Sequence, residues 1–483
     1  MTLLDVLDGV CILDKKGMCN VKVSGVQMNA RMVNCGDLLI CIRGMHADGH
    51  DFAREAEQNG AVALVVERFL DSELPQILVE NARIAMSRIA SNFYGKPSKK
   101  LKIIGVTGTN GKTTVCHMIE SILKIDGKKV GIIGTLGARF CDRVIAPSLT
   151  TPDPICLHRI LAEMVECGVE YVAMEVSAHA IDLHKIDDVA FEVGVFTNFS
   201  RDHLDYFSNI ERYGEVKTSF FTCRKIDFCV LNGDDALGRE IAKKIENKSV
   251  CYGIEQPADA FAVNIQAKKD GLTYFINLFD SLYQIHIPVV GRYNVYNSLA
   301  AAACAAYFGV KTNVIAHGLY VFGGAEGRLR RVGEYHGGDI YVDYAHTPDG
   351  LKNTLVSLSE VYDGRIICVF GCGGNRDEGK RAIMGEIAAE YANFSVVTSD
   401  NPRYEDPMTI IRAVESGLLR KNGKYVCIEN RKMAIKYAIN CLQDGDVLVV
   451  AGKGAEKYQE IMGINYPFCD ETTIRDAVKE QTR

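Results

Sequence analysis

The chain has no surplus of basic residues, no long apolar run and no paired cysteine spacing, and each absence removes a class of function. Lysine and arginine total 55 against 61 aspartates and glutamates, a net charge of −6 that argues against a nucleic-acid scaffold. No stretch approaches the roughly 20 apolar residues that a membrane helix needs, so no membrane insertion is expected. The opening segment Met1–Val10 has neither a basic region nor a long apolar core, which leaves no signal peptide to expect. The 17 cysteines are scattered and odd in number, so they cannot all bridge within one chain; reduced thiols in a cytoplasmic protein, and a monomer, are expected. Cys372 lies among the glycines of Gly371-Cys-Gly-Gly374, but no C-x-x-C partner accompanies it to suggest a metal site.

What is present is an ordinary globular composition over 483 residues, too long for one core and enough for two to four domains. The most informative stretch is Leu101-Lys-Ile-Ile-Gly-Val-Thr-Gly-Thr-Asn-Gly-Lys-Thr-Thr114. Leu101 to Val106 reads as a buried parallel strand. Val115, Met118, Ile119, Ile122 and Leu123 then share one helical face, and Gly127 is placed to stop that helix. Strand, glycine-rich loop and helix N-terminus together make a phosphate cradle, because inward backbone N–H groups and the helix dipole both favour an anion. Gly108, Thr109, Asn110, Gly111, Lys112, Thr113 and Thr114 are the candidate ATP contacts, with Lys112 on the phosphates and the Thr113 hydroxyl on Mg²⁺. The usual G-x-x-x-x-G-K-[ST] pattern asks for glycine at 106, where this chain has Val106.

The form Thr107-Gly-Thr-Asn-Gly-Lys-Thr-Thr114 resembles the Mur ligases and their folylpolyglutamate synthetase relatives, which are ATP-dependent amide-forming enzymes. Motifs farther along extend the resemblance over essentially the whole chain. It implies an α/β protein of three domains: a small N-terminal α/β domain (1–98), a central P-loop ATPase domain with a mainly parallel sheet (99–325), and a C-terminal Rossmann-like doubly wound sheet (326–483).

In the first domain, Asp37–Ile42 and Ala61–Val66 read as strands, the segment near Asp51–Asn59 as a helix, Ala82–Phe93 as a second helix and Tyr94–Lys100 as a linker. The resemblance makes this the domain for the uridine end of a UDP-linked substrate, through Met28-Asn-Ala-Arg31 and His46-Ala-Asp-Gly49. Ala30 and His46 are its candidate contacts, although Asn29 and Ala30 replace the family's acid and the hydroxyl that faces uracil.

The central region alternates strands (Tyr171–Val176, Phe191–Thr197, Ile226–Leu231) with helices, which implies a parallel sheet whose ligands lie beyond its carboxyl ends. Glu175, at such an end, suits a hard Mg²⁺ ion. His203 is assigned by resemblance, since Ser200-Arg-Asp-His-Leu-Asp205 matches a family signature whose histidine contacts a second metal. Lys217 reads from its own sequence as a helix-surface lysine, but it occupies the position that family members carbamylate. A carbamate would turn a cation that repels Mg²⁺ into an anionic ligand. Thr113, Glu175, His203 and carbamylated Lys217 are thus the candidate metal set, and Lys112, Glu175, His203 and Lys217 the catalytic one. Thr150, Thr151, Ser177 and Lys185 are the candidate contacts to the muramoyl dipeptide; Leu183 and Lys185 stand where the family often has Gln-x-Arg, and Ala178 replaces a serine. Residues 250–290 carry period-2 runs that suggest inserted antiparallel strands. Asn294 and Asn297 match family asparagines near adenine, with helix capping as the alternative.

The last region has four apolar strands, Asp339–Asp343, Ile366–Phe370, Ser395–Thr398 and Asp446–Val450, each ending in polar residues. Arg328 and Asp343 match family positions that serve ATP. Asp400-Asn-Pro-Arg403 has the form found in members that add meso-diaminopimelate to UDP-N-acetylmuramoyl-L-alanyl-D-glutamate. Arg376 and Arg403 would take the amino acid's far carboxylate, Asp400 and Glu456 its ammonium, with Asn401 between them and Gly452 alongside; Asn-Pro as a plain tight turn is the alternative. Arg330 and Ala455 depart from a family glutamate and histidine. The resemblance therefore implies a ligase using ATP, Mg²⁺ and a Lys217 carbamate on these two substrates. The competing expectations are a paralogue that joins another amino acid, such as L-lysine, to a related carboxylate, and an ATP-binding scaffold without catalysis.

Overall fold

The structure is a computed structural model that describes residues 1–481 apart from 45, 46, 148, 247 and 280. It is a mixed α/β protein with three main sheets, spanning residues 12–79, 102–287 and 330–451. Among the described residues no helix is long and apolar enough to cross a membrane.

The first sheet runs Ile12–Lys16, Gln76–Val79, Ala63–Val66, Asp37–Ile40, Gly25–Gln27, parallel except for the antiparallel edge strand Ile12–Lys16. Two of its three interior strands, Asp37–Ile40 and Ala63–Val66, are buried at every residue, as mainly apolar runs covered on both faces should be. The helix expected near 51–59 splits into a 3₁₀ turn, Gly49–Phe52, and a short α-helix, Ala53–Gln58. Ala82–Phe93 forms as expected, with Asn81 capping the N–H groups of Arg83 and Ile84. The expected linker is not loose: it contains the 3₁₀ turn Pro97–Lys100, and Ser98 Oγ donates to Asp188 O (3.3 Å) in the central unit.

The central sheet places Lys102–Thr107 between Tyr171–Glu175 and Phe191–Phe196, all parallel, so the carboxyl ends of the three strands converge. Gly105 belongs to the strand and not to the loop: a β-carbon there would stand 2.7 Å from the rings of Phe191 and Phe220. The helix Lys112–Ile125 buries the predicted stripe, and Gly127 (φ +77°) ends it, Lys128 N–H returning to Leu123 O at 2.9 Å. The inserted antiparallel strands are Ala260–Lys268, Gly271–Leu278 and Ser281–Ile287. The alanine-rich helix Tyr293–Tyr307 is buried almost all round and packs against Lys112–Ile125, small side chains letting the two backbones approach.

The C-terminal sheet runs Arg330–Tyr335, Gly338–Asp343, Val447–Ala451, Ile366–Phe370, Phe394–Val397, Tyr425–Cys427, parallel except for the first strand. Apolar clusters lie on both faces, and the polar ends that the sequence singles out share its carboxyl edge.

Candidate active site

The phosphate loop is held from below by the neighbouring strand end. Thr109 N–H donates to Asn198 O (2.8 Å), Asn110 N–H to Asn198 Oδ1 (2.9 Å), and Thr197 Oγ1 to Asn110 O (2.6 Å). The close approach explains Gly108, at φ +146°, where a β-carbon would lie 1.9 Å from Thr197 Oγ1. Lys112 is not on an exposed loop. It is the half-buried first residue of the helix, and its Nζ donates to Gly108 O (2.9 Å) and Thr109 O (2.8 Å). Burial pushes its pKa down, against the opposing attraction of Glu175 and Asp202.

On the inner side of the loop lies a cavity of ≈ 120 Å³ that contains Gly108, Lys112, Thr113, Thr150, Glu175, Ser177, His203 and Lys217. Glu175 is buried at its strand end and accepts from Thr135 N–H (2.9 Å) and Thr135 Oγ1 (3.0 Å). Gly134 makes room for it, because a β-carbon there would sit 2.2 Å from Glu175 Oε1. His203, at φ +55°, has Nε2 3.3 Å from Asp202 Oδ2, and burial lowers its pKa, keeping the imidazole neutral. Asp202 also lines the cavity; burial opposes its ionisation, but Lys380 and the N–H of His203 (2.9 Å to Oδ1) help to hold its pKa down.

Lys217 is the clearest correction. It is 1% exposed, not a surface lysine, and its Nζ lies 4.6 Å from the centre of the Tyr213 ring. Burial, reinforced by Lys112, lowers its pKa well below the ordinary lysine value. A buried amine with a reduced hold on its proton suits addition of CO₂ to a carbamate. Among the described residues no three His, Cys, Asp or Glu side chains gather into a metal cluster. Thr113, Glu175, neutral His203 and Lys217 line one cavity, and with Lys217 as a carbamate their mixed donors would suit Mg²⁺.

A larger cavity, ≈ 450 Å³, opens on the other side of the loop between the central and C-terminal units. Asn110, Gly111, Thr113, Thr114, Asn297, Arg328 and Asp343 line it, as do Asp234 and Tyr296. Asn297 Nδ2 donates to Asn294 Oδ1 (2.9 Å), and Asn294 Nδ2 to Val290 O (2.8 Å). Asn294 is thus a buried support for Asn297; neither side chain caps the helix. Asp343 is engaged internally by Leu329 N–H (2.5 Å), Ala345 N–H (2.9 Å) and Thr354 Oγ1 (2.9 Å). Arg328 lies over the Tyr344 ring (4.4 Å) and donates from Nη2 to Thr113 Oγ1 (3.0 Å), and both residues border both cavities.

At the carboxyl edge of the C-terminal sheet, Asn401 does lie between the two acids: its N–H donates to Asp400 Oδ1 (2.7 Å) and its Nδ2 to Glu456 Oε2 (2.9 Å). Asp400 Oδ2 is buried and has no hydrogen-bond partner, and Gly452 (φ +116°) leaves it space, a β-carbon there standing 2.5 Å away. The expectation of a free Arg403 fork does not hold. Arg403 Nε is 3.1 Å from Glu460 Oε2, and Nη1 donates to Gly374 O (2.8 Å). Arg376 is likewise spoken for, donating to Asp205 Oδ2 (3.2 Å) across the units. Lys453, fully buried, joins the cluster by donating to Asn401 Oδ1 and Glu456 Oε2, both at 2.9 Å.

The expected substrate contacts in the first two units fare unevenly. Thr150 reaches the inner cavity, with its Oγ1 3.2 Å from Thr135 Oγ1. Thr151 is buried and donates to Glu175 O (2.9 Å), so it props the strand end, and Ser177 caps the next helix through Ala180 N–H (3.2 Å). Lys185 is buried in an ion pair with Asp153 (2.8 Å), and Ala30 is packed in the apolar core of the first unit; neither presents a free contact. His46 lies outside the described residues. Sequence reasoning missed Thr135, Asp202, Tyr213, His346, Lys453 and Glu460; Asp202 sits inside Ser200-Arg-Asp-His-Leu-Asp205, so motif membership was a usable signal there.

Three family models match in chain order: the Mur ligase family, catalytic domain over residues 22–94, the Mur ligase middle domain over 106–305, and the Mur ligase, glutamate ligase domain over 327–454. Among similar proteins, the UDP-N-acetylmuramoyl-L-alanyl-D-glutamate–2,6-diaminopimelate ligase of Caldanaerobacter subterraneus subsp. tengcongensis is 40% identical over 100% of both chains. The ligase of the same name from Geobacillus thermodenitrificans is 40% identical over 96% of each chain. A solved structure of a ligase with that name superposes with a TM-score of 0.71 at 29% identity, covering 100% of this chain and 99% of its own. With every part of the chain matched at such identity, it belongs to the Mur ligase family.

Proposed function

We propose that the chain is an ATP-dependent amide ligase that adds meso-2,6-diaminopimelate to UDP-N-acetylmuramoyl-L-alanyl-D-glutamate, in the cytoplasm, as a step of peptidoglycan precursor synthesis. The observation that carries this reading is the meeting of two cavities at Thr113 and Arg328, which lets a nucleotide on one side present its terminal phosphate to a carboxylate on the other. Names of relatives 40% identical along their whole length supply the substrate pair.

A carboxylate does not react with an amine at neutral pH because oxide is a poor leaving group. Phosphoryl transfer from ATP gives an acyl phosphate; amine attack then forms the amide bond, and phosphate departs with the former carboxylate oxygen. The protein's part is positioning and charge neutralisation. In this reading the N–H groups from Gly111 onward and Lys112 cradle the phosphates, Asn297 and the Tyr296 side of the larger cavity take the nucleoside, and Arg328 neutralises charge at the junction. Mg²⁺, held by Thr113, Glu175, His203 and a Lys217 carbamate, would neutralise the phosphates during transfer. Asp400 Oδ2 and Glu456 take the amine substrate's ammonium, and Arg403 its far carboxylate. Residues 1–98, 99–325 and 326–483 then serve the UDP end, ATP and the amino acid respectively.

Phosphate release measured with each component omitted in turn tests the reading. Release that requires ATP, Mg²⁺, the UDP-linked dipeptide and meso-diaminopimelate supports it. Release without the amine, or preference for L-lysine at equal concentration, overturns it.

A further inference from the structure

We propose that Glu460 is a specificity-determining residue: it pairs with Arg403 in the unliganded protein, and the far carboxylate of diaminopimelate has to displace it. The inference rests on the amine-pocket assignment above. Glu460 belongs to Tyr458–Ile461, which pairs with Ile464–Pro467 as a small antiparallel hairpin. The hairpin is fastened to the pocket by its backbone: Glu460 N–H donates to Asn401 Oδ1 (2.9 Å), Arg403 N–H to Glu460 O (3.1 Å), and Met462 N–H to Arg403 O (2.7 Å). Arg403 sits at φ +53°, a left-handed conformation that these bonds sustain.

That anchoring sets which guanidinium nitrogens remain. A carboxylate grips arginine bidentately through Nε and Nη2 or through Nη1 and Nη2. Glu460 Oε2 stands 3.1 Å from Nε, and Nη1 already donates to Gly374 O, so each fork has one arm engaged. Neither of these two contacts uses Nη2. The side chains of Arg403 and Glu460 are 21% and 25% exposed, so water can receive the glutamate once a ligand carboxylate replaces it. An amine lacking that carboxylate gains nothing from the exchange, and its free ammonium is attracted to Glu460. The glutamate therefore weakens capture of diaminopimelate and narrows the margin over L-lysine.

The test compares the full-length protein with Glu460→Gln and Glu460→Ala in steady-state turnover at saturating ATP and UDP-linked dipeptide. Both substitutions are expected to lower KM for meso-diaminopimelate about fivefold, a change of about 1 kcal/mol, with kcat and the KM for ATP moving less than twofold. KM for L-lysine is expected not to fall. A KM for diaminopimelate that stays or rises in both variants, as a merely supporting role for Arg403 would give, overturns the inference. An equal fall for both amines overturns it too. Wild-type protein indifferent to diaminopimelate overturns the functional reading, and this inference with it; an active wild type with unaltered variants overturns the inference alone.

Discussion

At the carboxyl edge of the central sheet, half-buried Lys112 and buried Lys217 have no carboxylate within ion-pair distance among the described residues: one faces loop carbonyls and the other an aromatic ring. At the edge of the C-terminal sheet, Lys453 faces Glu456, Arg403 faces Glu460, and Arg431 is fully buried against Asp470. Withdrawing a cation from water without an anionic partner is costly, and at Lys112 that cost is relieved when an anion arrives, so the first edge is prepared for phosphates. On the second edge the cations already have partners, and an incoming carboxylate gains only by exchanging with one of them, which lowers its affinity.

The sharpest way to break this comparison is at Lys112. Lys112→Ala is expected to lower turnover at least a thousandfold, about 4 kcal/mol of transition-state stabilisation, while circular dichroism and thermal melting remain close to wild type. Substantial residual turnover would remove the loop from the chemistry. Lys217 follows. Lys217→Arg, which cannot form the carbamate, is expected to lose at least a hundredfold in rate, and Lys217→Ala to recover part of its loss with added acetate. Because the native amine is buried against the Tyr213 ring with no ion pair among the described residues, Lys217→Met should melt no lower than wild type; a clear drop in Tm would mean that Lys217 is a structural cation.

On the paired edge the same kind of substitution should act on stability. Arg431→Met leaves Asp470 buried and alone, and is expected to cost about 3–5 kcal/mol in chemical denaturation. Replacing both, with Asp470→Leu, should recover most of that. A double variant as unstable as the single one would show that the pair is not what matters there. Arg403→Ala is expected to raise KM for meso-diaminopimelate roughly thirtyfold, the low end of removing one partner from a charge pair, and to leave KM for ATP within twofold. Equal loss for both substrates would place Arg403 outside the amine pocket.

The smallest effect sharpens the contrast outside both edges. His158 is buried with neither ring nitrogen hydrogen-bonded, and burial pushes its pKa down to about 4 from 6.5. The unfolded chain binds the proton that the folded one refuses, so this contribution is complete above about pH 6.5 and is lost as pH falls towards 4. Between pH 6.5 and 5 it should account for about 1.5 kcal/mol of lost stability. His158→Leu is expected to flatten that part of the Tm–pH curve; an unaltered curve would show that another group titrates there.

How much of this could be read from the sequence depended on how local each cause was. Strand, loop and helix around Lys112 were legible because the turn residues, the i, i+3, i+4 stripe and the stop at Gly127 all act within a few residues. Lys217 was misread as exposed, yet it shares a helix face with Tyr213, Val216 and Phe220, all buried; the lysine within an apolar stripe was the available signal. Arg403 was read as free because its partner Glu460 arrives from a hairpin distant in sequence, and no local pattern announces that contact. Ala30 fell into a core assembled from several strands and helices, a fate that its own neighbours do not reveal. The α/β class was legible, since apolar strands alternating with helices leave few other packings, whereas the edge strands Ile12–Lys16, Arg330–Tyr335 and Tyr425–Cys427 were not.

Gly134 carries a consequence for inheritance. Its backbone is ordinary, so alanine suits the strand, yet the added methyl carbon would overlap Glu175 Oε1 at 2.2 Å and force that carboxylate out of place. Cells carrying Gly134→Ala should therefore accumulate the protein at normal abundance while lacking its activity. Surveys of variants that score only expression or melting would pass over such an allele as harmless.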